Sequence, residues 1–320
     1  MRPIGGYFEL ADRENGFFRH RQGFLLNTGR NALEFILRSI GNVSRVYLPF
    51  YTCEAVLEPL KKLSIPWSYY SVNRNFEMAE TVNPGEHEYL IANNYFGIKD
   101  EYIHKLSLIY RDRLIVDCAQ AFFAEPISGI KAFYSCRKFV GVADGGVAYI
   151  DDDICSFDYP EDNTSDHDGH LYTRRIYGAE AGYQEFRVNE NKLANQPILA
   201  MSRKTKDALE NIDYGKVVSR RRANWHYLHS CLKESNLLSL PEEDTFKCPM
   251  VYVYGVSDGE RLRRELINQK VFVPRYWPTI TDDGIHRTEY LLSRQGIAIP
   301  CDQRYDVEDM KRIVAFLRTK

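Results

Sequence analysis

Ser135-Cys136-Arg137-Lys138, followed by Gly141 and Asp144-Gly145-Gly146, holds residue types that can do covalent chemistry. A lysine turns into a nucleophile toward carbonyl carbon when its ammonium is partly desolvated or set beside another cation. Arg137 would disfavour the charged lysine and can hold a phosphate. Ser135, three residues before the lysine, offers a hydroxyl to the same phosphate. The glycines let backbone approach a flat ring and turn tightly into the next strand. Taken alone, such a string is more often a surface loop carrying a basic pair.

Two further segments supply matching chemistry. In Val116-Asp117-Cys118-Ala119-Gln120 the aspartate sits at the carboxyl end of an apolar strand, the edge where open α/β sheets bind ligands. A carboxylate there can pair with a pyridinium nitrogen and keep it protonated, which makes the ring an electron sink. Ala119 is small enough to lie under a ring face, and Gln120 can bond a ring hydroxyl. The competing reading makes Asp117 a helix cap. Asn27-Thr28-Gly29-Arg30-Asn31 precedes a helical stretch, so its backbone N–H groups, with Thr28 and Arg30, can face an anion. A plain capped helix start reads the same way.

The elements that would position these residues follow from periodicity. Short apolar strands are expected at 46–49, 66–72, 89–92, 114–116, 132–134 and 146–150, with helical segments at 32–37 and 54–63 between them. Strands alternating with helices predict an α/β domain with a mainly parallel sheet. Residues 151–195, opening on Asp151-Asp152-Asp153, are polar and poorly periodic, and read as an excursion or mobile loop. Further on, a helical pattern from Ile198 breaks near Asp213-Tyr214-Gly215. A helix is expected over 220–232, then a strand at 250–256, a helix at 258–269, a strand at 271–273 and a terminal helix at 307–317. The expected division is a large domain over 1–213 and a smaller C-terminal α+β domain over 214–320.

The order of these pieces resembles the DegT/DnrJ/StrS sugar-nucleotide aminotransferases, which are pyridoxal 5′-phosphate (PLP) enzymes of the aspartate-aminotransferase-like fold. The resemblance runs from about Gly23 to Leu317 and is strongest over 115–150. Leu48-Pro49-Phe50-Tyr51-Thr52, Asn94-Tyr95-Phe96-Gly97 and Val273-Pro274-Arg275-Tyr276-Trp277-Pro278 share in it. The resemblance implies that Lys138 bonds to the cofactor and shuttles protons, and that Asp117 pairs with its ring nitrogen. It implies that Gln120 contacts the ring hydroxyl and that Thr28, Gly29, Arg30 and Ser135 hold the phosphate. The implied reaction moves an amino group from an amino-acid donor, usually glutamate, to a keto group, usually on a nucleotide-linked sugar. A homodimer with shared active sites is implied as well.

This chain departs from the family at three places. Cys53 stands where an aromatic residue usually covers the ring, leaving Tyr51 or Tyr95 to do so. Asn94 replaces a usual His. In the family an Asn-aromatic-Arg motif sends its Asn to the neighbouring subunit's phosphate, and the best match here, Glu185-Phe186-Arg187, brings a carboxylate. These substitutions keep open other PLP chemistry on the same fold, or a non-catalytic relative that acts as a binding protein.

The bulk numbers limit the remaining possibilities. A net charge of −2 gives no field directed at nucleic acid, and no apolar run reaches the ~20 residues of a membrane helix. Seven scattered Cys and a first segment without an apolar signal core predict reduced thiols in a cytoplasmic protein. No metal site is expected: His167 and His170, among Asp162, Asp166 and Asp168, read as a solvated loop. His226 and His229 read as packing beside Trp225. Arg220-Arg221-Arg222 reads as a solvated face, and Arg275 as a candidate clamp for an acidic substrate.

Overall fold

The computed structural model describes residues 2–12, 14, 16–150, 158–163 and 167–320. Its centre is a seven-stranded sheet. In chain order the strands are β1 (Ile4–Gly5), β2 (Phe24–Leu26), β3 (Arg45–Pro49), β4 (Trp67–Tyr70), β5 (Glu88–Asn93), β6 (Leu114–Cys118), β7 (Lys131–Ser135), β8 (Gly146–Tyr149), β9 (Val251–Gly255), β10 (Val271–Phe272) and β11 (Gly296–Pro300). The large sheet runs β2-β8-β7-β6-β5-β3-β4. From β7 to β4 every pairing is parallel, while β8 is antiparallel to both β7 and β2. The expected mixed, mainly parallel sheet is therefore the one observed.

Those two reversals give β2 the same direction as the parallel strands. Helix α1 (Gly29–Ile40), which follows β2, therefore starts at the sheet edge where β3, β5, β6 and β7 end. Its start is fixed by Thr28, whose hydroxyl accepts from the Asn31 N–H at 3.1 Å. Its end is fixed by Gly41 at φ 79°, whose N–H returns to Leu37. Ala32, Leu33, Phe35, Ile36 and Leu37 bury its apolar side against Leu48, Ile91, Ile115 and Phe133 of the sheet. Alternation along β6 puts Asp117 on the same face as Ile115, while Val116 and Cys118 join the larger core on the other side.

The other helices are α2 (Leu57–Lys62), α3 (Asp100–Tyr110), α4 (Gly169–Tyr177), α5 (Tyr183–Lys192), α6 (Arg203–Leu209), α7 (Tyr214–Leu232), α8 (Gly259–Asn268), α9 (Arg287–Gln295) and α10 (Val307–Leu317). The expectation of an irregular excursion is corrected over 169–192. There α4 and α5 pair as helices, with His170 and Asn189 joined at 2.7 Å in the buried seam. Apolar residues such as Ile176, Tyr177, Tyr183 and Val188 lie on their exposed sides, so no single apolar stripe marked them as helices. The acidic run at 151–153 and Asp166 lie outside the described residues. In the C-terminal part β9 pairs with β11, and β1 lies parallel to β10, so the start of the chain is tied there. Cys53, Cys118, Cys136, Cys231, Cys248 and Cys301 are free thiols. Among the described residues no helix is long and apolar enough to cross a membrane, and no three His, Cys, Asp or Glu side chains gather to hold a metal.

Candidate active site

Asp117 and Lys138 both lie at the carboxyl edge of the sheet. Asp117 lies near the end of β6, and Lys138 lies in a short 3-10 turn, Cys136–Lys138, that follows β7, the neighbouring strand. Asp117 is buried, and its Oδ1 accepts the Ala119 N–H at 2.8 Å. Burial raises its carboxyl above the ordinary range; the Lys138 ammonium and the Ala119 N–H oppose that rise. The helix-cap reading fails, because β6 leads into turns and loop rather than a helix.

Next to this pair lie buried polar atoms with unused bonding capacity. Gln120 accepts the Phe96 N–H at 3.0 Å through Oε1, and its Nε2 is buried without a partner. Asn93, opposite Asp117 in the β5–β6 register, donates to Thr52 Oγ1 at 2.9 Å, and its Oδ1 is unpartnered. Native interiors rarely leave such atoms unsatisfied, so their cluster around Asp117 marks a place built for a polar ligand. The loop that carries the Phe96 N–H is tight. Phe96 has φ 56°, and a Cβ on Gly97 (φ 67°) would come within 2.6 Å of the Cys248 carbonyl.

The start of α1 meets Ser135 as the sequence implied. A Cβ on Gly29 would touch Tyr134 O at 3.5 Å and Ser135 Cβ at 3.6 Å, while one on Gly146 would collide with Thr28 O at 2.1 Å. Thr28, Gly29 and Ser135 are thus brought together. Arg30 is placed differently from expectation: it turns to Glu58 (3.4 Å) and the Leu193 carbonyl (3.2 Å). The charge at this end is held by Arg137 instead, in a close ion pair with Glu190 of α5. Burial pushes the Glu190 carboxyl up, but Arg137, with Arg30 and Lys138 behind it, brings it net below its ordinary value. Arg137 keeps a buried Nε without a partner.

A carboxylate therefore does enter this region, but it comes from Glu190. Glu185 instead accepts the Thr173 hydroxyl at 2.8 Å within the α4–α5 hairpin. Glu190 lies 53 positions from Arg137, and no local pattern linked them. Asn94 orders the entry to α3: its Nδ2 donates to Asp100 at 2.6 Å, and its Oδ1 accepts the Lys99 N–H at 3.1 Å. Tyr51 and Tyr95 are both buried in an aromatic cluster with Phe76 and Trp277, and their hydroxyls donate to the Tyr276 and Tyr51 carbonyls at 3.2 and 2.6 Å.

Several other candidates prove structural. Arg221 is fully buried, not solvated; it donates to the Pro249, Met250 and Phe139 carbonyls and to Gln303. Gln303 also donates to the Phe139 carbonyl at 2.7 Å, so two side chains grip the peptide just after Lys138. Asp144 is buried and accepts the Ser202 N–H and hydroxyl at 2.8 and 2.7 Å, anchoring α6. His229 stacks on Trp225 at 4.6 Å, as packing predicts.

No family model matches the sequence, and no curated protein does. Solved structures match along almost the whole chain. Spr1654 of Streptococcus pneumoniae, named a sugar aminotransferase and solved in its PLP form, superposes with TM-score 0.67 at 16% identity, covering 98% of this chain and 92% of its own. DesV of S. venezuelae, solved with a ketimine intermediate, gives 0.65 at 15% identity over 93% of this chain and 84% of its own. CalS13 of Micromonospora echinospora, a sugar aminotransferase, gives 0.64 at 16% over 94% and 88%. At such identities the likeness shows the fold, and the fold is that of these PLP-dependent transferases.

Proposed function

We propose that this chain is a PLP-dependent aminotransferase. It moves an amino group from an amino-acid donor, glutamate by expectation, to a keto group of a sugar, with nucleotide-linked sugars as the expected acceptors. The observation that carries this reading is the buried Asp117 at the carboxyl edge of the sheet, with the half-buried Lys138 at the end of the neighbouring strand and the unsatisfied Gln120 and Asn93 side chains beside it. The bound cofactor would supply an electron sink for the carbon that loses or gains the amino group. Asp117 would hold the pyridine nitrogen, Gln120 Nε2 would reach the ring hydroxyl, and Thr28, Gly29, Ser135 and Arg137 would receive the phosphate. Lys138 Nζ is the group that would take and return the proton at the reacting carbon. Arg221 and Gln303, through the Phe139 carbonyl, position that lysine.

A homodimer is part of the proposal. Ile176, Tyr177, Tyr183 and Val188 expose apolar surface on α4 and α5, beside the Glu190 that reaches the cradle, which supports a face covered by a second copy. A cytoplasmic setting and a role in amino-sugar or surface-polysaccharide synthesis complete the expectation. One observation favours a second reading, a binding protein without catalysis: Glu190 presents a negative charge where a phosphate would lie.

A visible spectrum of the protein with added PLP, before and after borohydride, with mass mapping of the modified peptide, decides between them. A reducible band with the adduct on Lys138, lost in Lys138→Ala, is expected. A spectrum of free PLP with no adduct would leave the binding-protein reading. Glutamate should then bleach the band if amino transfer is the reaction.

A further inference from the structure

Three guanidinium groups converge on one carboxylate oxygen in the C-terminal part of the chain. Arg263 of α8, Arg275 of the loop after β10 and Arg294 of α9 place Nη1 at 3.3, 3.2 and 3.7 Å from Glu260 Oε1. The nearby acids of α8 are engaged elsewhere: Asp258 pairs with Arg261, and Glu265 pairs with Arg261 and Lys320. One carboxylate against three guanidiniums leaves two positive charges without a counter-ion.

The hydrogen bonds are as short of acceptors as the charge is of anions. Each guanidinium is a planar fork of several N–H donors. Beyond Glu260, Arg263 reaches only the Gly296 carbonyl, at 3.4 Å, and Arg294 lies over the Tyr290 ring at 5.2 Å. The Nε of Arg263, of Arg275 and of Arg294 is in each case buried without an acceptor. Arg263 itself is only 7% exposed. Burial and the neighbouring Arg275 disfavour its charge, while Glu260 opposes them. A buried cation held beside two others, with donors to spare, is a costly arrangement for a purely structural network. The Arg275 and Arg294 side chains remain partly open to solvent.

The cluster borders the candidate active site. Tyr51 donates to the carbonyl of Tyr276, the residue next to Arg275, at 3.2 Å. Tyr51 also precedes Thr52, the partner of Asn93 beside Asp117.

We propose that Arg263, Arg275 and Arg294 form a binding site for a doubly charged oxyanion, the phosphate or diphosphate ester of the substrate. Two unmatched positive charges fit a dianion, and planar forks fit its oxygens bidentately. The anion site stands apart from the cofactor reading; only its use by the substrate of an aminotransferase rests on that reading.

Isothermal titration of the protein without PLP, using inorganic phosphate and then ADP as a diphosphate ester, tests the site. Both should bind, ADP more tightly, and Arg275→Gln/Arg294→Gln should weaken both at least about tenfold. These two side chains are the more exposed of the three, and circular dichroism checks that the variant folds. Lys105→Gln, on the exposed surface of α3, should leave ADP binding unchanged. Failure of both ligands to bind, equal binding by the double variant, or a loss found only in Arg137→Gln, which reports on the cofactor cradle, overturns the proposal. Binding of inorganic phosphate without ADP overturns its assignment to an ester. None of these readouts depends on the PLP spectrum, so either proposal can fail alone.

Discussion

Asp117, the candidate partner of the cofactor ring, works against the fold that holds it. Its carboxyl is raised by burial, so the native state keeps a proton at pH values where the unfolded chain has lost it. Stability therefore falls as pH climbs from the ordinary 3.8 through the raised value, so at neutral pH the buried carboxyl weakens the cofactor-free protein. Asp117→Asn should accordingly raise the thermal midpoint of the cofactor-free protein at pH 7, by about 2 °C per kcal/mol gained. The advantage should vanish below pH ~4, while amino transfer is lost. A lower midpoint at pH 7 would show that the Lys138 attraction outweighs burial. Glu190 has the opposite sign. Its carboxyl is held below its ordinary 4.5, so its pairing with Arg137 stabilises the fold above that pH and fades as pH falls through the lower native value. Glu190→Gln keeps the shape and removes a charge that repels phosphate. PLP should bind about tenfold more tightly, the effect of ~1.4 kcal/mol, with pyridoxal unaffected. An equal change for both ligands would mean that Glu190 acts on the ring and not on the phosphate.

Among the elements, the 3-10 turn that carries Lys138 is too short to hold itself in place. Its position comes from β7 on one side and from Arg221 and Gln303 on the other, through the Phe139 carbonyl. Arg221 belongs to α7, whose basic run reads from sequence as a solvated face, yet the middle arginine points into the core over the Phe139 ring at 4.7 Å. Arg221→Met should leave the Pro249, Met250 and Phe139 carbonyls short of a donor and cost about 3 kcal/mol in urea unfolding. The residual folded protein should also form the borohydride-reducible adduct more slowly, which a purely global loss of stability would not produce. The α4–α5 hairpin is the other element that matters. It delivers Glu190 to the cradle and keeps Glu185 and its own apolar residues on the outside.

For the molecule as a whole, the chain ends and the sheet edge are coupled. β1 lies on β10, and a Cβ on Gly5 (φ 83°) would meet the Phe272 carbonyl at 2.4 Å, so the N-terminal segment is closed onto the part that bears the arginine cluster. The remaining open surface is apolar on α4 and α5. Sedimentation should give twice the 37.3 kDa chain mass, and Ile176→Glu/Tyr177→Glu should shift it to the single-chain value. A single-chain mass for the unmodified protein would remove the dimer from the proposal and leave the site to one chain.

Local signals in the sequence determined the parallel sheet, the capped start of α1 after Thr28, and the placing of Asp117 at the carboxyl end of a strand. Apolar strand runs, a hydroxyl before a helix and a residue just past a strand act over a few positions, so they can be read without the fold. Only the tertiary structure decided that Arg30 turns to Glu58, that Glu190 meets Arg137, that Arg221 is buried, and that Arg263, Arg275 and Arg294 share one carboxylate. Those outcomes join residues tens of positions apart. They depend on which charged groups lose water together when the layers pack, and a linear pattern carries no record of that.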